Sequence, residues 1–251
     1  MKHDTPLFSI ITITYNAANE LPATMRSVAE QSFTDFEHLI IDGASKDNTL
    51  EVAKSIGTEM MTIFSEPDKG LYDAMNKGLA KARGEYLIFL NAGDAFHAAD
   101  TLQKMAIASK SKPDIIYGDT DLVDAQRRFV AKRHLSAPKQ LTFDSFKRGM
   151  LVCHQAFVVR RELAPSYNLQ YRFSADYEWC LRCLRKSRPG KCVNLDCVVI
   201  DYLTDGLTDK NHKASLMERY RIMSDYYGNV RTLLFHLSFI PRYVWRKIRQ
   251  K

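Results

Sequence analysis

Three features of this 251-residue chain predict an α/β fold with a mostly parallel central sheet flanked by helices. Apolar runs of strand length alternate with stretches of helix length from Phe8 to Asp94, a pattern that implies crossovers and parallel pairing. Tyr86 to Leu90 is a continuous apolar run, as expected of a strand buried on both faces. Three of these strands stop at polar turns, and a parallel sheet brings such turns to one edge. That edge is where open α/β sheets bind ligands.

The elements follow in order. Phe8 to Thr14 is a β-branched apolar strand, followed by Tyr15-Asn16 and a helix reaching about Gln31. Phe36 to Ile41 is a second strand ending in the polar turn Asp42 to Asp47, and Asp47 or Asn48 caps a helix through about Ile56. Met60 to Ser65 reads as a third strand and Leu71 to Ala82 as a helix that Gly84 terminates. Tyr86 to Leu90 then stops abruptly at Asn91-Ala92-Gly93-Asp94. A carboxylate at a strand's carboxyl end, flanked by small residues, suits a hard divalent cation bridging phosphates. A β-turn that simply uses Gly and Asp is the plainer alternative.

These residues resemble glycosyltransferase family 2, the GT-A nucleotide-sugar transferases. The matching segments are SIITITYNA at 9–17, HLIIDGASKDNT at 38–49, DKGLYDAMNKGLAKARGEYLIFLNAGD at 68–94 and, more loosely, FSADYEW at 173–179. The resemblance is nearest to bacterial enzymes that build colanic acid, capsule or lipopolysaccharide chains. It implies a GT-A fold, with a Rossmann-like mostly parallel sheet, over residues 1–210. Residues 1–97 would bind the nucleotide and 98–210 the acceptor, with a helical, basic and aromatic extension over 211–251.

The resemblance also implies roles. Thr14, Tyr15, Asn16 and Asp42 would hold the nucleoside of the donor, and Lys69, Asn76 and Asn91 would complete the donor-binding set. The acidic strand-end turn usually reads Asp-x-Asp-Asp, and its last Asp binds Mg²⁺ or Mn²⁺. Asp94 has that place, at what reads as a solvent-reached strand end, while Asn91 and Gly93 stand where carboxylates are usual. The cation site should therefore depend more on diphosphate oxygens and water. Many members carry an Arg before the Asn of the third helix. Here Met75 precedes Asn76, which leaves Lys69 or Lys77 to balance phosphate charge.

Inverting sugar transfer needs a carboxylate to take the acceptor hydroxyl proton. The family's base lies at the start of a later helix, and Asp176 matches that position with Glu178 as runner-up. Helix capping alone also explains Ser174 and Asp176. His154 and Gln155, in CHQA at 153–156, resemble the acceptor-side segment. A loop from Asp201 to Asp209 leads to His212, a candidate for completing the metal shell.

Composition sets the limits. Apolar residues make 45% and charged residues 26%, ordinary for a folded chain. The amino terminus lacks the apolar core of a secretory signal, and no window reaches the roughly 18 apolar residues of a membrane span. Five cysteines fit reduced thiols in a cytoplasm. Cys180 and Cys183 sit at helical spacing in WCLRCLRK, so burial competes with zinc for their explanation, and burial suits a helix better.

The net charge is +7, and past Asp225 there is no acidic residue while Arg231, Arg242, Arg246, Lys247, Arg249 and Lys251 supply positives. Apolar and aromatic residues interleave with them, which describes a segment lying on an anionic membrane from the cytoplasmic side. Packing on the domain is the alternative, and no nucleic-acid recognition motif accompanies the charge. A lipid-linked saccharide, for example on polyprenyl diphosphate, would share that surface with the enzyme. Two other classes were weighed. A dinucleotide oxidoreductase needs G-x-G-x-x-G after the first strand, and TYNAANE has no Gly. A non-catalytic nucleotide-sugar scaffold would explain the missing carboxylates, but it has no use for Asp176.

Overall fold

The computed structural model describes residues 5–204 and 212–236. The side chains of His212 and Lys213 lie outside the described residues, as do residues 205–211, which hold part of the loop expected from Asp201 to Asp209, and the basic tail at 237–251. Asp201 to Leu203 of that expected loop are strand instead. One mixed sheet organises the chain, in the order β3-β2-β1-β4-β8-β6-β9-β5 with β7 paired to β6. Its strands are β1 (Phe8–Thr14), β2 (Phe36–Asp42), β3 (Met61–Ser65), β4 (Tyr86–Phe89), β5 (Ala95–Phe96), β6 (Ile115–Val123), β7 (Phe129–Lys132), β8 (Phe157–Arg160) and β9 (Cys192–Leu203).

The first four strands are parallel, as the alternating pattern requires. Phe8 to Ile13 and Leu39 to Ile41 are buried on both sheet faces, which is why they carry apolar runs without alternation. Beyond β4 the directions mix: β8 runs antiparallel to β4 and to β6, while β6 and β9 are parallel. The expected parallel sheet thus describes the amino-terminal half, and the later strands fold back across it.

Helices α1 (Leu21–Ala29), α2 (Thr49–Ile56), α3 (Leu71–Lys81), α4 (Thr101–Ser109) and α5 (Ala175–Lys186) flank the sheet. The first three end within a residue or two of the sequence expectation. A sixth helix, α6 (His212–Tyr227), precedes a further helical run at 229–236. No helix among the described residues is long and apolar enough to cross a membrane.

Cys180 and Cys183 of α5 are buried in the main apolar core, so their spacing is a packing stripe. Burial pushes the Cys180 thiol well up and Cys183 likewise, as expected of inert core sulfur.

Gly84 joins α3 to β4 where the chain passes directly against β1. A Cβ there would stand 2.4 Å from the Ser9 nitrogen and 2.6 Å from the Phe8 carbonyl carbon, both backbone atoms that cannot swing aside. Gly84→Ala should therefore destabilise the protein by about 1–3 kcal/mol, the range for overpacking a filled site. A lowered midpoint in urea unfolding, at unchanged slope, is the expected reading.

Candidate active site

Parallel pairing puts the ends of β1, β2 and β3 side by side. Thr14 is paired with Asp42, and Asp42 with Ser65. The Asp42 carboxylate is almost fully buried and accepts hydrogen bonds from the Ser45 amide at 3.0 Å and the Ser65 hydroxyl at 2.7 Å. It therefore fixes the turn that follows β2. That turn in turn clasps the one after β1: Asn16 N–H donates to Ser45 Oγ, and the Lys46 amide donates to Asn16 Oδ1, both at 2.8 Å. Asn16 adopts φ +48°, a left-handed conformation that Asn tolerates better than most side chains.

The result is a preformed cleft wall. Tyr15 stands beside it with 58% of its surface exposed. A Cβ on Gly43 would meet Asp68 Oδ2 at 2.3 Å and the Tyr15 ring at 3.2 Å, so the turns after β1, β2 and β3 converge here. Thr14 Oγ1 is buried without a hydrogen-bond partner. Lys77 is already engaged, with Nζ 2.6 Å from the Pro67 carbonyl and 3.2 Å from Glu66, whereas the Lys69 residue is exposed. Of the two lysines, Lys69 is the one left facing solvent.

Asp94 differs from expectation. It is 4% exposed, not solvent-reached. Gln155 Nε2 donates to one carboxylate oxygen at 2.7 Å and the Leu203 amide to the other at 3.1 Å. Burial pushes its pKa up to about 7, against the opposing pull of those two donors and Arg127. The turn itself is held by Thr24, whose hydroxyl accepts from Gly93 N–H at 2.9 Å, and by Arg127, which donates to the Gly93 carbonyl at 2.6 Å.

Asp94 and the unpartnered, buried Asn91 Oδ1 share this turn, which offers hard oxygen atoms of the kind Mg²⁺ or Mn²⁺ takes. A buried carboxylate with no full counter-charge is also a place where a cation relieves desolvation. No cluster of three or more His, Cys, Asp or Glu that could hold a metal ion occurs among the described residues. His212 begins α6, but its side chain lies outside the described residues.

Asp176, half-buried in the first turn of α5, accepts a hydrogen bond from Tyr72 OH of α3 at 3.1 Å. Burial, with the charge of Asp176 second, raises the Tyr72 phenol well above its ordinary value, so it stays a donor. Glu178 is not available as the alternative base. One of its oxygens takes Tyr226 OH at 2.5 Å and the other the Arg182 guanidinium at 2.8–2.9 Å.

Two acceptor-side candidates have structural duties instead. His154 is buried against Phe89, Tyr167 and Trp179, shares a 2.6 Å hydrogen bond with Tyr167 OH, and is driven by burial to a pKa of about 4. It is a neutral core ring. Gln155 is buried too and acts on Asp94. The Asn76 amide exchanges both its hydrogen bonds with the Tyr167 backbone, at 2.6 and 3.1 Å, so it anchors the segment before α5.

The raised Asp94 pKa has a stability consequence. Its folded value of about 7 exceeds the ordinary 3.8, so the folded state holds a proton that the unfolded chain has released. Stability contributed by this group therefore falls as pH rises from about 4 to about 7 and is level above that. In metal-free protein, Asp94→Asn should gain stability relative to the parent across that window. Urea unfolding of both proteins at pH 5, 6, 7 and 8 checks the slope, and a parallel pair of curves contradicts the assignment.

The model of the family described as glycosyl transferase family 2 matches residues 9–166. A PGL/p-HBAD biosynthesis glycosyltransferase of Mycobacterium bovis is 39% identical over 186 residues, covering 71% of this chain and 70% of that protein. The Escherichia coli UDP-Glc:alpha-D-GlcNAc-diphosphoundecaprenol beta-1,3-glucosyltransferase WfgD is 23% identical over 93% of this chain and 92% of its own. Among solved structures, S. aureus TarS 1-349 in complex with UDP-GlcNAc superposes with a TM-score of 0.70 at 16% identity, covering 92% of this chain and 73% of that one. That likeness is one of fold, the GT-A arrangement of a mixed sheet with flanking helices. On the family match and the mycobacterial relative, this chain belongs to glycosyl transferase family 2.

Proposed function

We propose that this glycosyltransferase transfers a sugar with inversion from a nucleotide-diphosphate-sugar, of UDP type, to a saccharide or lipid-linked saccharide in bacterial surface polysaccharide synthesis. One observation carries the reading: a half-buried carboxylate, Asp176, held by the protonated Tyr72 hydroxyl on α3, the helix that follows the β3 strand-end turn. A single hydrogen bond orients the carboxylate without neutralising it, which is what a general base requires. Asp176 takes the acceptor hydroxyl proton as that oxygen attacks the anomeric carbon, and the bond to the nucleoside diphosphate breaks on the opposite face. Tyr15, Asn16 and Asp42 bind the nucleoside, Thr14 lends its free hydroxyl to the donor, and Lys69 offsets diphosphate charge. Asp94 and Asn91 would hold the divalent cation, which when bound neutralises charge building on the leaving diphosphate.

Asp176→Asn preserves shape and hydrogen bonding but removes the base. Turnover should fall by roughly 10²–10⁴-fold while donor affinity holds. Thermal-shift screening of UDP- and GDP-sugars with Mn²⁺ identifies the donor, since a ligand of the folded state raises apparent stability. Donor hydrolysis then reports turnover, and a non-catalytic scaffold would show none even in the parent. Near-parent turnover in Asp176→Asn removes it as base.

The acceptor reading includes an anionic membrane surface. Leu216, Met217, Val230, Leu233 and Leu234 are exposed apolar side chains just ahead of the basic tail. Such residues beside clustered Lys and Arg suit insertion at a headgroup layer, where each positive charge adds about 1 kcal/mol. Reversing Arg246, Lys247 and Arg249 to Glu should release the protein from anionic vesicles without lowering donor hydrolysis. Co-sedimentation at low and high salt decides; binding absent in the parent, or unchanged in the variant, refutes the membrane role.

A further inference from the structure

We propose that Glu218, on α6, is a positioning residue for Asp176: its carboxylate takes up the backbone donors ahead of α5 and so keeps the base turned toward the site. The proposal rests on the reading of Asp176 as base. Glu218 accepts hydrogen bonds from three successive amides, Arg172 and Phe173 at 2.7 Å and Ser174 at 2.6 Å. Short bonds from N–H to an ionised acceptor are the strong class. Ser174 is the N-cap of α5, yet its side chain makes no capping bond; its hydroxyl instead reaches Ser215 of α6, at 3.2 Å to the carbonyl. Glu218 thus takes the amide of the N-cap itself and of the two residues ahead of it, fixing from α6 the backbone that enters α5.

The consequence falls on Asp176. A helix N-terminus carries unmade N–H donors and a partial positive charge, and an Asp in the first turn readily folds back onto them. Glu218 holds the backbone entering α5 in place, and with it the point from which the Asp176 side chain projects. Its oxygen meets Tyr72 OH instead. A second tie from α6, Tyr226 OH to Glu178 at 2.5 Å, fixes the rotation of the same first turn. Burial first, and then the charges of Asp176 and Glu218, hold the Tyr72 phenol protonated. The catalytic helix is therefore clamped from outside the segment that the family model matches, residues 9–166.

A double-mutant cycle on the full-length protein tests this, using hydrolysis of the nucleotide sugar that gives the largest thermal shift with Mn²⁺. Glu218→Ala should lower kcat about 10- to 100-fold, the size of loss a misplaced catalytic group produces, with donor KM unchanged. Glu218→Gln, which keeps the size and an acceptor oxygen, should recover most of that loss and guards against misfolding of the alanine variant. In the Asp176→Asn background, Glu218→Ala should cost nothing more, because no base remains to be positioned. Equal loss in both backgrounds, or parent-like kcat in Glu218→Ala, overturns the positioning role alone. Parent-like turnover in Asp176→Asn by itself overturns the base assignment, and the Glu218 role with it.

Discussion

The site depends on a carboxylate buried where water cannot solvate it. Asp94 follows β4 in a turn whose backbone belongs to the parallel half, but its oxygens are satisfied from far along the chain, by Gln155 and by the Leu203 amide. Bonds to a charged group contribute about 1.5–3 kcal/mol each, and losing one partner leaves the desolvation cost exposed. The later strands are thereby tied to the strand-end turn at one point. Arg127 extends the tie: it donates to Gly93, sits 3.8 Å from Asp201, and Asp201 in turn pairs with His97 at 2.7 Å. The Asp94 turn is thus joined to β9, to the turn after β6 and to the segment before β8.

A second set of contacts holds the other carboxylate. Phe89 of β4 meets His154, Tyr167 and Trp179 edge-on or tilted, and Tyr167 stacks on Trp179 at 5.0 Å. Aromatic pairs of this kind add about 0.5–1.5 kcal/mol beyond area burial. Tyr167 also stacks on Tyr72 at 5.7 Å, and its backbone is gripped by Asn76. β4, whose following turn carries Asp94, and α5, whose first turn carries Asp176, therefore lean on the same rings. Burial of His154 as a neutral ring is part of that design, since a charged imidazole there would oppose the packing.

Local pattern made the parallel half legible. β1, β2 and β4 are buried on both faces, so their apolar runs carry no competing periodicity, and their polar ends fall together because parallel strands share a direction. Asp42, Asp94 and Asp176 each stand at an element boundary, and the family resemblance, rather than residue type alone, marks their roles. Other features depend on distant partners. Tyr72 lies in the recognised α3 segment, yet nothing local says its hydroxyl reaches Asp176. Glu218 and Arg127 look like ordinary surface charges until α6 and β6 are placed. Gln155 was singled out for the acceptor, but its proximity to Asp94 comes from the antiparallel return of β8, which the alternating pattern does not encode. The burial of Asp94 was missed on the same account, because Leu203 covers it from the end of β9.

That burial gives a physical account of the two absent carboxylates. Gly93 adopts φ +100°, where an L side chain is strained, and a Cβ would lie 2.7 Å from Leu203 Cδ2. A carboxylate at position 93 would strain the turn and push aside the Leu203 side chain that covers it. At position 91 the side-chain oxygen is buried and unpartnered. A second charge there, sharing one desolvated turn with Asp94, would push proton affinity higher still, as like charges in low dielectric do. With Asp94 already at about 7, a second carboxylate would share a proton with it rather than add a full second charge. An amide at 91 and a glycine at 93 keep the oxygen and the close backbone approach while leaving one group to ionise. Sparse acidity at this turn thus goes with the closing of β9 over it.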